Sequence, residues 1–275
     1  MAHAARLFAL AQRLQARAQP QRPPTLEPFV VAGHAVGWVT SAVADALTQD
    51  AGFDRRDGLL QLRDEGLDVA GRSRRLAEAA ERLRDAGLLR GWRNELLAVR
   101  ATRGGQVLAT IERAACRTLG IVTEAVHLNA LADDGTLIVA RRAAHKSIDP
   151  GQWDNLVGGM VPAGETLEQA LEREAWEEAG LALDRIEVHH GRMFHVRRPV
   201  PEGYQSEWIH VYDATLGADT TCSNQDGEVD AIERRDLPAL LDAMENDAFT
   251  LESALATLES LTRRSACATP PGLYE

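Results

Sequence analysis

Residues 158–181 read GGMVPAGETLEQALEREAWEEAGL and carry the most informative pattern in the chain. Thr166 followed three residues later by Gln169 is a capping-box pattern, and Gly180 suits the position that ends a helix. The pattern therefore predicts a helix over Leu167–Ala179. A single basic residue, Arg173, accompanies six acidic residues in this stretch: Glu165, Glu168, Glu172, Glu174, Glu177 and Glu178.

The acidic residues of this helix occupy a defined face. At about 100° per residue, one stripe is apolar and is expected to be buried, namely Leu167, Leu171, Ala175 and Ala179. Glu174, Glu177 and Glu178 fall within a ~100° arc beside that stripe. Clustered carboxylates repel one another, but they are the oxygen ligands that Mg²⁺ requires. The helix alone would also fit a solvated acidic face, so a magnesium site, with Mn²⁺ as an alternative, needs further evidence.

The spacing of the whole stretch supplies that evidence. Gly159, five residues, Glu165, seven residues and then REAWEEAGL over 173–181 resembles the Nudix box, GX5EX7REUXEEXGU, in which U is a bulky aliphatic residue. All seven fixed identities match across these 23 positions. Ala175, at the first U position, is smaller than usual, which affects packing rather than chemistry.

The resemblance implies a fold, a reaction and a set of residues. The implied fold is an α/β/α sandwich with a mixed β-sheet, and the implied reaction is metal-dependent hydrolysis of a small-molecule diphosphate. Arg173 would orient a glutamate, while Glu165 would pair with Arg173 or assist at the metal. Glu174 would be a ligand or the general base. The metal ligands implied by the resemblance are Glu174, Glu177, Glu178 and the carbonyl of Gly159.

The flanks of the box add four candidates, each with an ordinary alternative. Arg142 and Lys146 suit a terminal phosphate, although a basic hairpin end is equally compatible. Trp153 suits a pocket wall that stacks on a substrate ring, but a core position is also open. Glu228 lies in NQDGEV, which fits a simple turn. Many Nudix enzymes take a further metal-binding glutamate from a later loop, which makes Glu228 a candidate ligand.

Three segments resemble one Nudix subgroup more narrowly. They are RRAAHKSIDPGQWDN at 141–155, NQDGEV at 224–229 and FVVAGHAVGWV at 29–39. That subgroup carries an N-terminal domain of unassigned function, DUF4743, and includes the Nudix part of fungal thiamine pyrophosphokinase fusions. The resemblance implies cleavage of damaged thiamine diphosphates to the monophosphate.

Three alternatives remain. A nucleoside diphosphate derivative such as ADP-ribose or NADH would use the same chemistry. A ligand-binding sensor would keep the fold without the reaction, although sensors often lose box glutamates. Isopentenyl diphosphate isomerisation is disfavoured, since no cysteine lies between Cys116 and Cys222.

The hydrophobic pattern divides the chain into a smaller α+β N-terminal domain at 1–118, the Nudix domain at 119–265 and a C-terminal tail at 266–275. The first 24 residues contain four arginines and no acid. They fit an amphipathic helix with Leu7, Leu10, Ala11 and Leu14 on one face, or a targeting segment.

Composition limits the partners. The 275 residues carry a net charge of −11, with 30 basic against 41 acidic side chains, which disfavours duplex nucleic acid. No segment approaches the ~20 apolar residues of a membrane span. Three scattered cysteines favour a reducing compartment, and we expect a cytoplasmic protein. A homodimer is expected by analogy with the family only.

Overall fold

The computed structural model describes residues 2–265 and residue 274. The predicted tail, 266–275, therefore lies outside the described residues except for Tyr274. The N-terminal part begins with a helix, α1 (Ala2–Ala18), and contains a four-stranded sheet in the order β2-β1-β4-β3. Its strands are β1 (Glu27–Val31), β2 (His34–Val39), β3 (Phe53–Arg56) and β4 (Leu59–Leu62). The remaining N-terminal elements are α2 (Ser41–Leu47), α3 (Val69–Asp85), the hairpin β5 (Leu96–Arg100) and β6 (Val107–Glu112), and α4 (Ala115–Leu119).

The following part of the chain builds a seven-stranded sheet in which five strands run in the order β11-β12-β7-β8-β13, while β10 pairs with β7 and β9 pairs with β8. The β12 and β7 strands are parallel and the other pairs are antiparallel, so the sheet is mixed. Its strands are β7 (Val122–Ala132), β8 (Leu137–Arg142), β9 (Trp153–Asn155), β10 (Val157–Met160), β11 (Val188–Val200), β12 (Gly203–Leu216) and β13 (Val229–Arg235). Its helices are α5 (Leu167–Ala179), α6 (Leu237–Glu245) and α7 (Leu251–Arg264).

Helices cover both faces of the large sheet. Along β7, Val126 and Leu128 point to one face and pack in a cluster with Ala175 of α5. Ala125 of β7 belongs to a second cluster, which contains Leu255 of α7. Alternate residues of a strand face opposite sides, so the strand serves two cores. The predicted α/β/α sandwich with a mixed sheet and a preceding α+β domain is confirmed.

The first helix packs against the large sheet and not against the N-terminal sheet. Its predicted apolar face is buried and joins the cluster that contains α7, with Leu7, Leu10, Ala11 and Leu14 all at most 3% exposed. Arg6 pairs with Asp242 and Glu245 of α6 at 2.6 and 2.7 Å. The predicted N-terminal domain at 1–118 includes this helix, but its apolar face packs into the core on the α7 side of the large sheet.

The two parts of the chain meet at a close backbone contact. Gly120, which ends α4, adopts φ +61°, and a Cβ there would lie 2.4 Å from the carbonyl oxygen of Trp38 on β2. The positive φ and the missing side chain are both needed at this point, so glycine is required. This contact fixes the N-terminal sheet against the start of β7.

Two local features have simple causes. The cap of α2 is Thr40, whose Oγ accepts from the Val43 amide, and Ser41 is the first helical residue. The connection between β11 and β12 is tight, because the two strands pair up to Val200 and Gly203. Within the part of the chain that the structure describes, no helix is long and apolar enough to cross a membrane.

Candidate active site

The helix α5 begins and ends at the predicted residues. Thr166 Oγ accepts from the Gln169 amide at 3.2 Å, and the Gln169 side chain accepts from the Thr166 amide at 2.9 Å. Gly180 ends the helix with φ +64°. The predicted helix and its capping box are therefore confirmed, and local signals are enough to fix which way the box glutamates face.

Arg173 lies at the centre of the acidic cluster. Its Nη1 donates to Glu174 at 2.9 Å and to Glu177 at 3.0 Å, while its Nε donates to Glu165 at 3.1 Å. Its Nη2 also reaches the carbonyl of Met160 at 3.3 Å. One guanidinium therefore holds three box glutamates and the end of β10 together.

The glycines before the box allow two carboxylates to lie against the backbone of β10. The Gly158 amide donates to Glu178 Oε2 at 2.8 Å. A Cβ on Gly159 would lie 1.9 Å from the Glu174 carboxyl carbon, so a side chain cannot occupy that space while Glu174 keeps its position. Glu174 and Glu178 are each 7% exposed. Glycine at position 159 thus creates room for the buried Glu174 carboxylate, while the Gly158 amide holds Glu178.

Burial leaves the two carboxyl groups with unfavourable electrostatics. It raises the pKa of Glu178 to about 8, and the neighbouring Glu174 contributes to that rise. Burial also raises the pKa of Glu174, against the opposing effect of Arg173. Two buried carboxylates close together are stabilised by a cation, and oxygen donors suit a hard divalent one. Among the described residues, no group of three or more His, Cys, Asp or Glu side chains is arranged so that it could hold a metal ion.

A cavity of about 640 Å³ lies beside these glycines. Its lining includes the β10 residues Gly158, Gly159 and Met160, and the predicted phosphate-binding residues Arg142 and Lys146. The structure thus brings Arg142, Lys146 and Gly159 to one cavity, with Glu174 and Glu178 packed against its glycine backbone.

The predicted basic residues each have an acidic partner. Arg142 Nη1 contacts Asp154 Oδ2 at 3.1 Å, and its Nη2 donates to the carbonyl of Ile148 at 3.0 Å. Lys146 is buried and pairs with Glu228, the predicted loop ligand. Burial, together with the nearby Arg142, lowers the pKa of Lys146 to about 8. The loop that carries Glu228 is also tied to α5, since the Gln225 amide donates to the Glu177 carbonyl at 2.8 Å.

Trp153 lies away from the cavity. Its side chain belongs to the core cluster that contains α7, and the Arg235 guanidinium lies 3.8 Å from its ring centroid. It is not among the described residues that line the cavity. The structure places Trp153 in the core, the alternative that the sequence left open, because β9 directs the side chain to the α7 face.

Sequence reasoning missed two groups of cavity residues. One group comes from the N-terminal domain and includes Arg93, Arg113 and Arg117. The available signal was the hairpin β5–β6. Arg93 precedes β5 and Arg113 follows β6, so both arginines lie near the open end of the hairpin. The second group is acidic and consists of Asp149, Asp154, Glu202, Glu207 and Glu252. No spacing rule connects these acids, which lie on separate elements.

Comparison with known families agrees with this geometry. Residues 123–255 match the family described as the NUDIX domain, and residues 6–123 match the domain of unknown function DUF4743. Residues 123–255 are thus similar to a NUDIX domain. Nudix hydrolase 20, chloroplastic, of Arabidopsis thaliana is 30% identical over 221 residues, which are 74% of this chain and 58% of that protein. Nudix hydrolase 24, chloroplastic, of the same plant is 34% identical over 167 residues, 58% of this chain and 45% of that protein.

The chain spans about half the length of these two curated relatives. Among solved structures, DR0079 from Deinococcus radiodurans is 25% identical with a TM-score of 0.46, covering 63% of this chain and 97% of that one. The two family matches together cover residues 6–255.

Proposed function

We propose that this protein is a divalent-metal-dependent hydrolase that cleaves the diphosphate bond of thiamine diphosphate analogues and releases the monophosphate. The proposal rests on one observation, which is that Gly158, Gly159, Arg142 and Lys146 line the same cavity. Cations bind the charged oxygens of a diphosphate, and the box carboxylates suit a metal ion that shares those oxygens. A cavity of about 640 Å³ suits a small molecule and not a polymer.

The metal would be Mg²⁺ or Mn²⁺, held by Glu174, Glu177, Glu178 and the Gly159 carbonyl, with Glu228 as a further ligand. The support for a cation is that two of these carboxylates, Glu174 and Glu178, are buried close together. When bound, the ion neutralises diphosphate charge and acidifies water.

The residues of the chain divide the remaining work. Arg142 and Lys146 hold the terminal phosphate, and Arg173 holds the box glutamates in position through its bonds to Glu165, Glu174 and Glu177. Glu174 Oε accepts a proton from the attacking water. Water attacks one phosphorus, the bond to the bridging oxygen breaks, and the products are the monophosphate and inorganic phosphate.

The thiamine assignment has separate support. Besides its basic side, the cavity has buried carboxylates at Glu207 and Glu252, to which Gln205 Nε2 donates at 2.8 and 2.6 Å. A cationic ring such as a thiazolium is favoured beside such acids, whereas a second anionic group is not. We also propose a reducing, cytoplasmic location, since Cys116 and Cys222 are free thiols.

Product identification by mass spectrometry tests the proposal. Thiamine, oxothiamine and oxythiamine diphosphates are incubated with Mg²⁺ beside ADP-ribose, NADH and isopentenyl diphosphate, and Glu177→Gln serves as control. We expect selective conversion of the thiamine compounds to monophosphates, which the control does not catalyse. Turnover of ADP-ribose or NADH instead would support the hydrolase activity and contradict the thiamine substrate. No turnover of any compound with either metal would contradict the hydrolase and favour a ligand sensor.

A further inference from the structure

The hairpin β5–β6 of the N-terminal domain reaches the box. The Ala163 amide, in the segment between β10 and α5, donates to the carbonyl of Leu96 on β5 at 2.7 Å. At the same open end of the hairpin, the Arg113 amide donates to the Glu95 carbonyl at 2.8 Å. The hairpin therefore holds Arg113 in a fixed position relative to the glycine-rich strand β10.

Arg113 lines the same cavity as Gly159 and Lys146. Its side chain is 31% exposed, and its Nη1 pairs with Glu95 Oε2 at 2.6 Å. Burial alone would lower the pKa of Arg113, and the carboxylates of Glu95, Glu174 and Glu207 together hold it above its ordinary value. The guanidinium thus lies within electrostatic reach of the box, and Glu95 is the acceptor it contacts among the described residues.

A second arginine of the same domain contacts the predicted ligand loop. Arg93 Nη1 lies 3.6 Å from Glu228 Oε1, and its Nη2 donates to Ser147 Oγ at 3.4 Å. The Arg93 amide is itself held by Glu112 Oε1 at 2.8 Å. The N-terminal domain therefore contacts both the box and the loop that carries Glu228.

We propose that the N-terminal domain supplies part of the active site, and that Arg113 binds the diphosphate of the substrate together with Arg142 and Lys146. A guanidinium offers five N–H donors in a planar fork, of which Glu95 uses one. The remaining donors suit phosphate oxygens in a partly desolvated cavity. The inference rests on the proposed function in one respect, namely that the ligand is a diphosphate.

The test uses the full chain and a probe that is not hydrolysed, imidodiphosphate with Mn²⁺, and measures its dissociation constant by calorimetry. Arg113→Ala is expected to weaken binding by about 10- to 100-fold, since hydrogen bonds to charged groups are among the strong ones. Arg113→Lys should give an intermediate loss, because an ammonium keeps the charge without the fork. The matched control is Arg75→Ala, because Arg75 is a half-exposed arginine on α3 of the same domain. This variant should bind imidodiphosphate with a dissociation constant within about twofold of the wild-type value.

Glu95→Gln separates binding from folding. If the Arg113–Glu95 pair only holds the hairpin together, both single variants lose the same stability and the same affinity. If Arg113 binds the diphosphate, Glu95→Gln retains or strengthens imidodiphosphate binding, because the competing carboxylate is gone. The melting temperature of every variant is recorded. Electron paramagnetic resonance measures the binding of Mn²⁺ to each variant without imidodiphosphate.

Three results would overturn the inference: wild-type affinity in Arg113→Ala, equal losses in Arg113→Ala and Glu95→Gln, or no binding of imidodiphosphate by the wild-type chain. Hydrolysis by the wild-type chain is assayed in parallel. A chain that hydrolyses diphosphates but does not need Arg113 refutes only this inference. A chain that binds imidodiphosphate through Arg113 but hydrolyses nothing refutes only the proposed function.

Discussion

Replacing Gly159 by alanine separates the fold of the box from its chemistry. The new Cβ would lie 1.9 Å from the carboxyl carbon of Glu174 and 2.0 Å from its Oε1. Ordinary Cβ contacts are no shorter than 3.0 Å, so the carboxylate must retreat by roughly 1.1 Å (3.0 − 1.9). The obstacle is the end of a flexible side chain and not backbone, so the strand and the helix can stay in place while Glu174 moves.

The expected effects on stability and activity differ in size. Displacing the carboxylate removes its bond to Arg173, now 2.9 Å, which costs about 1–2 kcal/mol of unfolding free energy. A general base or metal ligand displaced by about 1 Å loses far more activity, because misplacement on that scale costs about 100-fold. We therefore expect a folded protein whose kcat falls by about 100-fold or more.

The assay combines urea unfolding with steady-state hydrolysis of whichever diphosphate the wild-type chain cleaves. The matched control is Gly217→Ala, since no atom lies within 4 Å of a Cβ built at Gly217. Retention of kcat within threefold in Gly159→Ala would show that Glu174 does not take part in the reaction. Loss of folding would instead show that β10 cannot tolerate the movement.

Three further outcomes are expected. Glu177→Gln should abolish turnover with little loss of unfolding free energy in urea, because its side chain is 39% exposed. Gly120→Ala should reduce the unfolding free energy by about 2–4 kcal/mol in the same urea assay, since it meets a positive φ and the Trp38 carbonyl. Burial holds the pKa of His195 at about 4, below its ordinary 6.5, so the unfolded chain takes up the proton first and stability falls as pH drops from 6.5 towards 4. Between pH 7.5 and pH 5, wild type should therefore lose about 1 kcal/mol more unfolding free energy in urea than His195→Gln does. Equal losses would show that His195 is not the source of the pH dependence.

The box helix was predictable because its signals are local. The capping residue, the apolar stripe and the terminal glycine lie within 15 residues of one another, from Thr166 to Gly180, and each acts through the backbone of that segment. The hairpins around Gly104 and Gly135 carry glycine signals that are equally local. The short hairpin β3–β4 has a weaker signal, because its arginines hide the alternation of a half-buried strand.

The cavity was not predictable, because it forms where two domains pack. Arg113 and Gly159 lie 46 residues apart in the sequence (159 − 113), and no periodicity links the end of a hairpin to a glycine-rich strand. Trp153 shows the opposite case. Because Trp153 follows the basic segment in the sequence, it was a candidate for contact with the substrate. Strand alternation instead directs its side chain into the core that contains α7. Distance along the chain from a motif is therefore a poor guide to distance from the chemistry.

Three basic residues of the cavity are paired with acids, which bears on the proposed binding of an anionic substrate by an acidic chain. Lys146 and Glu228 were separate candidates, one for phosphate and one for metal, yet the fold pairs them. Arg142 pairs with Asp154, and Arg113 pairs with Glu95, in the same way. Each ion pair offsets part of the free energy that desolvation of the cation costs. A diphosphate must compete with these carboxylates, and a metal ion that draws Glu228 away would free Lys146 for the phosphate. Metal and diphosphate would then bind cooperatively, although the net charge of the chain is −11.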